Sequence, residues 1–169
     1  MSEPDFRQGD RLRITADLGD NPTLVEVADY LVAIDRLWGA SVRMAAAIHD
    51  QRPRIGSRDG TIARAARIQL ASPLVVEILQ SLPVQLATGA LIFERVVDTT
   101  IKWQNHRRQY STTNRTFTEE ERQSLVADVE ADLERSQIPN DPLGYPYARQ
   151  LAVELSRFAR YKITGITKR

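Results

Sequence analysis

The 169-residue chain contains no cysteine, and that one absence excludes a disulfide scaffold, a thiolate zinc site, an iron–sulfur cluster and a cysteine nucleophile. A reducing, cytoplasmic location is therefore expected. Histidine is nearly as scarce. His49 and His106 are the only two, so a histidine-based triad has at most two possible bases, and no HExxH or metal-spaced histidine pair exists. Net charge is also small: 23 basic against 22 acidic side chains leaves +1, so no global field draws the molecule to nucleic acid or lipid. Long apolar runs are missing. The longest uncharged stretch, Ile78 to Phe93, has 16 residues and includes Gln80, Ser81, Pro83, Gln85 and Thr88, whereas a spanning helix needs about 20 mostly apolar ones. Met1 to Asp10 carries Glu3, Asp5 and Asp10 without an apolar core, which argues against a secretory or transit segment.

What remains is ordinary globular composition, 42% hydrophobic and 27% charged, in a chain long enough for one domain that buries roughly two thirds of its unfolded surface. We read residues 1–169 as that domain. It divides into a strand–helix–strand unit over 10–72, an apolar helical hairpin over 73–110, and outer helices with a tail over 118–169.

Leu12, Ile14, Ala16 and Leu18 alternate with Arg11, Arg13, Thr15 and Asp17, the period of a half-buried strand. Gly19, Asp20 and Asn21 mark a turn, and Thr23 with Glu26 has capping-box spacing for a helix reaching about Ile48. Its apolar stripe, Leu24, Val27, Ala28, Leu31, Ile34, Trp38, Val42 and Ala45, is about seven turns long, more than a small domain ordinarily covers by itself. Ile62 to Ala71 reads as a second strand, and the strand–helix–strand order predicts that the two strands pair in parallel. Ser72 and Pro73 have the character of a helix cap and first helical residue, predicting a short helix from Leu74 to Gln80. A longer helix is expected from near Pro83 to Tyr110, completing the hairpin. Thr118 and Glu121 cap an outer helix to about Ser136, a last helix spans Tyr147 to Arg160, and the tail is either a third strand or frayed. The predicted class is thus α+β, dominated by helix, with a small sheet of two or three strands, a long amphipathic helix and an apolar helical hairpin.

Chemistry-bearing constellations are few. Glu94, Asp98, Lys102 and His106 share a helix face at four-residue spacing, which reads as the wet side of an amphipathic helix with a favourable Asp98–Lys102 pair. His49, beside Asp50, suits a helix C-terminus. Glu77 stands between apolar neighbours and is either exposed or buried against an arginine. Gly56, Ser57 and Gly60 in RIGSRDG lack the order and the lysine of a phosphate-binding loop. No catalytic, cofactor-binding or metal-ligating residue is assigned, no cofactor is expected, and the balance leans away from an enzyme.

Charge is separated along the chain. Residues 52–67 carry five arginines and one aspartate, 102–115 four bases and no acid, and 157–169 five bases, against seven acids and one arginine over 119–134. The hairpin is apolar on two faces, with Leu86, Ala90, Phe93 and Val97 on one stripe and Val84, Leu91, Ile92 and Val96 on another, so it is either the central core or a self-association surface. The expected interaction residues are Leu86, Ala90, Leu91, Phe93, Val97, Trp103, Arg107 and Arg108. On this reading the protein is a non-enzymatic self-association or protein-interaction module working through apolar helical surfaces, as a homo-oligomer or with a protein partner. In that assembly the acidic helix meets a basic segment and sets the register. Two rival readings are a membrane-surface protein acting through 72–110 and, with less support from the near-neutral charge, a nucleic-acid binder acting through 52–67 and 102–115.

Overall fold

The structure is a computed structural model, and it describes residues 11–48, 65–70, 73–79, 87–106, 118–135 and 145–168. The alternating segment forms β1 (Arg11–Asp17) with Leu12, Ile14 and Ala16 fully buried. Asp17 Oδ1 then accepts the Gly19 N–H at 2.9 Å, and Gly19 takes a φ of 87°, a left-handed conformation that a side chain disfavours. The chain turns into α1 (Leu24–Ile48) through a complete capping box. The Thr23 N–H donates to Glu26 Oε2 at 2.8 Å, and the Glu26 N–H donates to Thr23 Oγ1 at 3.1 Å.

Residues Leu74–Leu79 are a strand, β3, and not the short helix that the Ser72–Pro73 signal predicts. Val75, Val76 and Ile78 are β-branched, and a six-residue segment apolar except for Glu77 is too short for a stable helix but suited to a strand buried on both faces. None of the side chains from Leu74 to Ile78 is more than 4% exposed. Accordingly 73–110 is not a pair of helices: it holds β3 and the helix α2 (Ala87–His106).

Among the described residues the sheet has four strands, more than the expected two or three, in the order β2-β3-β1-β4, where β2 is Ala65–Gln69 and β4 is Lys162–Lys168. Every neighbouring pair is antiparallel. Strands β1 and β2 do run in the same direction, but β3 lies between them, so they are not partners as the strand–helix–strand order predicts. The physical reason is the short link from Leu70 to Pro73, which lets β3 fold straight back along β2 before meeting β1. The second half repeats the scheme, since β3 and β4 run parallel on either side of β1. The result is a doubled split β-α-β arrangement in an α+β, helix-dominated protein. The tail is therefore a strand, carrying a bulge opposite Thr15 and Ala16.

Helix α2 is the centre of the core. Ile92, Phe93, Val96 and Val97 are all 0% exposed, and Phe93 meets Trp38 edge-to-face at 5.2 Å between ring centres. Gly89 allows close approach, since a Cβ there would sit 3.0 Å from Val42 Cα. Apart from exposed Leu24 and Ala28, the long stripe of α1 is covered by the chain itself. Helix α2 packs on one side and α4 (Tyr145–Phe158) on another. From Leu37 to Ala45 every residue is buried except half-buried Arg43. The charged helix α3 (Glu119–Arg135) lies outside, burying only Glu121, Leu125, Val129 and Leu133, and Thr118 Oγ1 caps it by accepting the Glu121 N–H at 3.2 Å.

Candidate binding cleft

Five of the eight residues expected to form an interaction surface are among the described residues. Ala90, Phe93, Val97 and Trp103 are buried in the core, and Trp103 Nε1 donates to Ser124 Oγ of α3 at 3.2 Å. Leu91 is 41% exposed and faces away from them. Leu86, Arg107 and Arg108 lie outside the described residues, as do His49, the RIGSRDG segment and most of both basic stretches. The polar ladder of α2 is the expected wet face: Lys102 Nζ pairs with Asp98 Oδ2 at 2.9 Å and His106 is exposed. Glu77 is buried on β3 and paired with Arg11 at 3.5 Å. Arg13 and Arg67 stand opposite it on the flanking strands.

Buried polar groups elsewhere serve the fold. Gln104 Nε2 donates to the carbonyls of Ala159 at 3.1 Å and Tyr161 at 2.8 Å, while Gln104 Oε1 accepts the Ile163 N–H at 3.0 Å. This amide fastens the α4–β4 corner to α2. Tyr30, fully buried on α1, packs against Phe158 and Tyr161, and neither its hydroxyl nor Trp38 Nε1 has a hydrogen-bond partner among the described residues. Burial therefore drives the Tyr30 phenol well above its usual range. Tyr161 is also raised, first by desolvation, then by Asp29 and Glu26 and against the opposing effect of Arg160. Among the described residues no three histidine, aspartate or glutamate side chains converge on a metal position. No described helix is long and apolar enough to cross a membrane.

The surface feature that sequence reasoning did not find is a cleft of about 380 Å³ where the β1–α1 turn meets the β2–β3 turn. Its walls are Leu18, Pro22 and Leu24 from one turn and Leu70 from the other, over a floor of Val27 and Leu74, and Asp20 and Asn21 form the polar part of the rim. Leu24 is 82% and Leu70 66% exposed, an unusual cost for two leucines beside a concavity that already exposes apolar surface. Volume and lining fall in the range of preformed ligand clefts. The β1–α1 turn is held by the Asp17–Gly19 bond and the Thr23–Glu26 capping box described above, which fix that side of the cleft. A second, much smaller cavity between α1, α3 and α4, lined by Met44, Val129, Leu133 and Leu155, measures about 20 Å³. That is room for about one water.

The sequence held one signal for the cleft: Leu24 and Val25 precede the first buried residue of the helix, Val27, at a point where a soluble helix normally shows polar residues. No family model, no curated protein and no solved structure matches this chain.

Proposed function

We propose that the protein is a non-enzymatic, cytoplasmic protein-interaction module and that its docking surface is the cleft between the β1–α1 turn and the β2–β3 turn. The observation that carries this reading is the pairing of two largely exposed leucines, Leu24 and Leu70, across a preformed apolar concavity. Of the α2 stripes to which the sequence directed attention, Ala90, Ile92, Phe93, Val96 and Val97 are buried in the core, which turns attention to the cleft. The absence of cysteine supports a reducing compartment.

Two measurements test it. Nile red, a neutral apolar probe, should fluoresce with the native protein and lose most of that signal in the Leu24→Asp, Leu70→Asp double variant. Equal signals from the two proteins would remove the cleft as a docking surface. Light scattering after size exclusion, over a hundredfold concentration range and at two salt strengths, reports whether the occupant is a second copy.

A nucleic-acid reading keeps one specific observation, the convergence of Arg11, Arg13 and Arg67 around Glu77 on adjacent strands. Affinity for a nonspecific duplex that falls steeply with salt and with Arg13→Ala and Arg67→Ala would favour it. The membrane-surface reading assumed a helical hairpin over 72–110, and with Leu74–Leu79 in the sheet that pair of helices is not available to insert.

A further inference from the structure

We infer that the open edge of strand β2 is a dimer interface: a second copy of this chain lays its own β2 antiparallel against it, with Ile68 of each copy meeting on the two-fold axis. This goes beyond the cleft reading, which holds for any occupant, and adds a surface beside the cleft together with the identity of what covers it.

Strand β2 stands at the end of the sheet, with no strand on its outer side among the described residues. The two edges of the sheet are not alike. Strand β4, at the other end, has a lysine at each terminus, Lys162 and Lys168, and a bulge between them, the usual devices for keeping a foreign strand away. Strand β2 carries one charged residue, Arg67, and its core-facing side is unfinished. Ile14, Val76 and Ile68 are in register on β1, β3 and β2. The first two are buried, whereas Ile68, where the row stops, is 42% exposed. Leu70, just past the strand, is 66% exposed and also forms a wall of the cleft.

A second copy fits this edge because the edge is self-complementary. Strand β2 is irregular between Ala65 and Arg67, so its regular stretch is Arg67, Ile68 and Gln69. An antiparallel self-pair centred on that stretch has its two-fold axis perpendicular to the sheet and keeps like faces together. Ile68 then lies against the second copy's Ile68, and the apolar row runs on from one core into the other. On the opposite face Arg67 lies against the second copy's Gln69, and Gln69 against its Arg67. Each guanidinium thus meets an amide and keeps Glu77 across from it on β3. Centring the pair on Arg67 would set two guanidiniums directly opposite each other, which is destabilising, so charge selects the register centred on Ile68. Leu70, and Leu24 across the cleft from it, extend the apolar surface past the end of the strand, so backbone pairing comes with side-chain burial beside it.

A chain without cysteine offers a direct test. In Ile68→Cys the only thiol of each copy lies on the proposed axis, where directly opposed Cβ atoms of an antiparallel pair stand about 4.5–5.5 Å apart, within a small adjustment of disulfide geometry. Air oxidation should give a covalent dimer of Ile68→Cys and none of Leu91→Cys, whose position on α2 is equally exposed. Sedimentation equilibrium of the native chain should show a reversible step from 19.1 kDa to twice that mass. Ile68→Lys should weaken the dimer by about tenfold or more. Gln69→Arg should weaken it by about threefold at low ionic strength and Gln69→Glu strengthen it by a similar factor, both effects fading at high salt. Ile68 and Gln69 are exposed, so all three variants should keep the native circular dichroism. A native chain that stays at 19.1 kDa at every concentration would overturn the inference and leave the cleft reading, decided by the Nile red comparison, standing. A dimer that survives Ile68→Lys, or that cross-links as readily through Leu91→Cys, would also overturn it by placing the interface elsewhere. Equal Nile red signals beside an Ile68-dependent dimer would remove the cleft reading and uphold the edge.

Discussion

Two buried polar side chains, Gln104 and Tyr30, sit in the same core and have opposite consequences for stability. Gln104 satisfies three backbone groups at the α4–β4 corner, so Gln104→Leu strands two carbonyls and one N–H away from water. A loss of about 3 kcal/mol is expected in urea unfolding, with an unchanged denaturant slope. Tyr30 buries a hydroxyl with no partner among the described residues, so Tyr30→Phe should stabilise the protein by about 1 kcal/mol at neutral pH. The same tyrosine sets an alkaline limit. Its phenol stays protonated in the folded state beyond the ordinary value of 10.0, while the unfolded chain ionises near that value and so binds fewer protons above it. Stability is unaffected below pH 10 and falls above it by about 1.4 kcal/mol per pH unit. Urea midpoints at pH 7 and pH 11 should show a smaller drop for Tyr30→Phe than for the native chain, with Tyr161, also raised, contributing to what remains.

At the scale of elements, β1, α1 and α3 were readable in the sequence because their signals are local: a two-residue alternation, and threonine caps followed three residues later by glutamate. Strand β3 was not. Ser72–Pro73–Leu74 is a sound helix opening, and only neighbours on both sides, β2 and β1, make the extended form of Leu74–Leu79 the better outcome. The cleft was hidden for a related reason, since its walls come from two turns separated by the whole of α1. Packing between helices is likewise set by pairs distant in sequence. Gly89→Ala would improve the intrinsic helix propensity of α2 yet drive a methyl against the Val42 backbone. A net loss of about 1–3 kcal/mol is expected from thermal unfolding, because a backbone atom yields less readily than a side-chain tip.

For the whole molecule, neighbouring positions on α2 separate core from surface. Phe93→Glu puts a carboxylate where exposure is 0% and should abolish cooperative unfolding altogether, whereas Leu91→Glu, at a position 41% exposed, should keep the native fold and the native mass. Near-ultraviolet circular dichroism together with light scattering reads both, and a dimer lost in the folded Leu91→Glu protein would restore α2 as an assembly surface.

Strand β1 takes β4, which lies downstream of all four helices, as one of its two partners. Translation therefore delivers a half-finished sheet. While the ribosome is still making α2, α3 and α4, the hairpin of β2 and β3 can already close on β1, but the other side of β1 offers its backbone to any strand that passes. Seven residues made after α4, Lys162–Lys168, cover that edge, and Gln104 waits on α2 to fasten them. A nascent chain halted before Lys162 should thus be the aggregation-prone species of this protein, and the interval between synthesis of α2 and synthesis of β4 is the period in which a chaperone has most to protect.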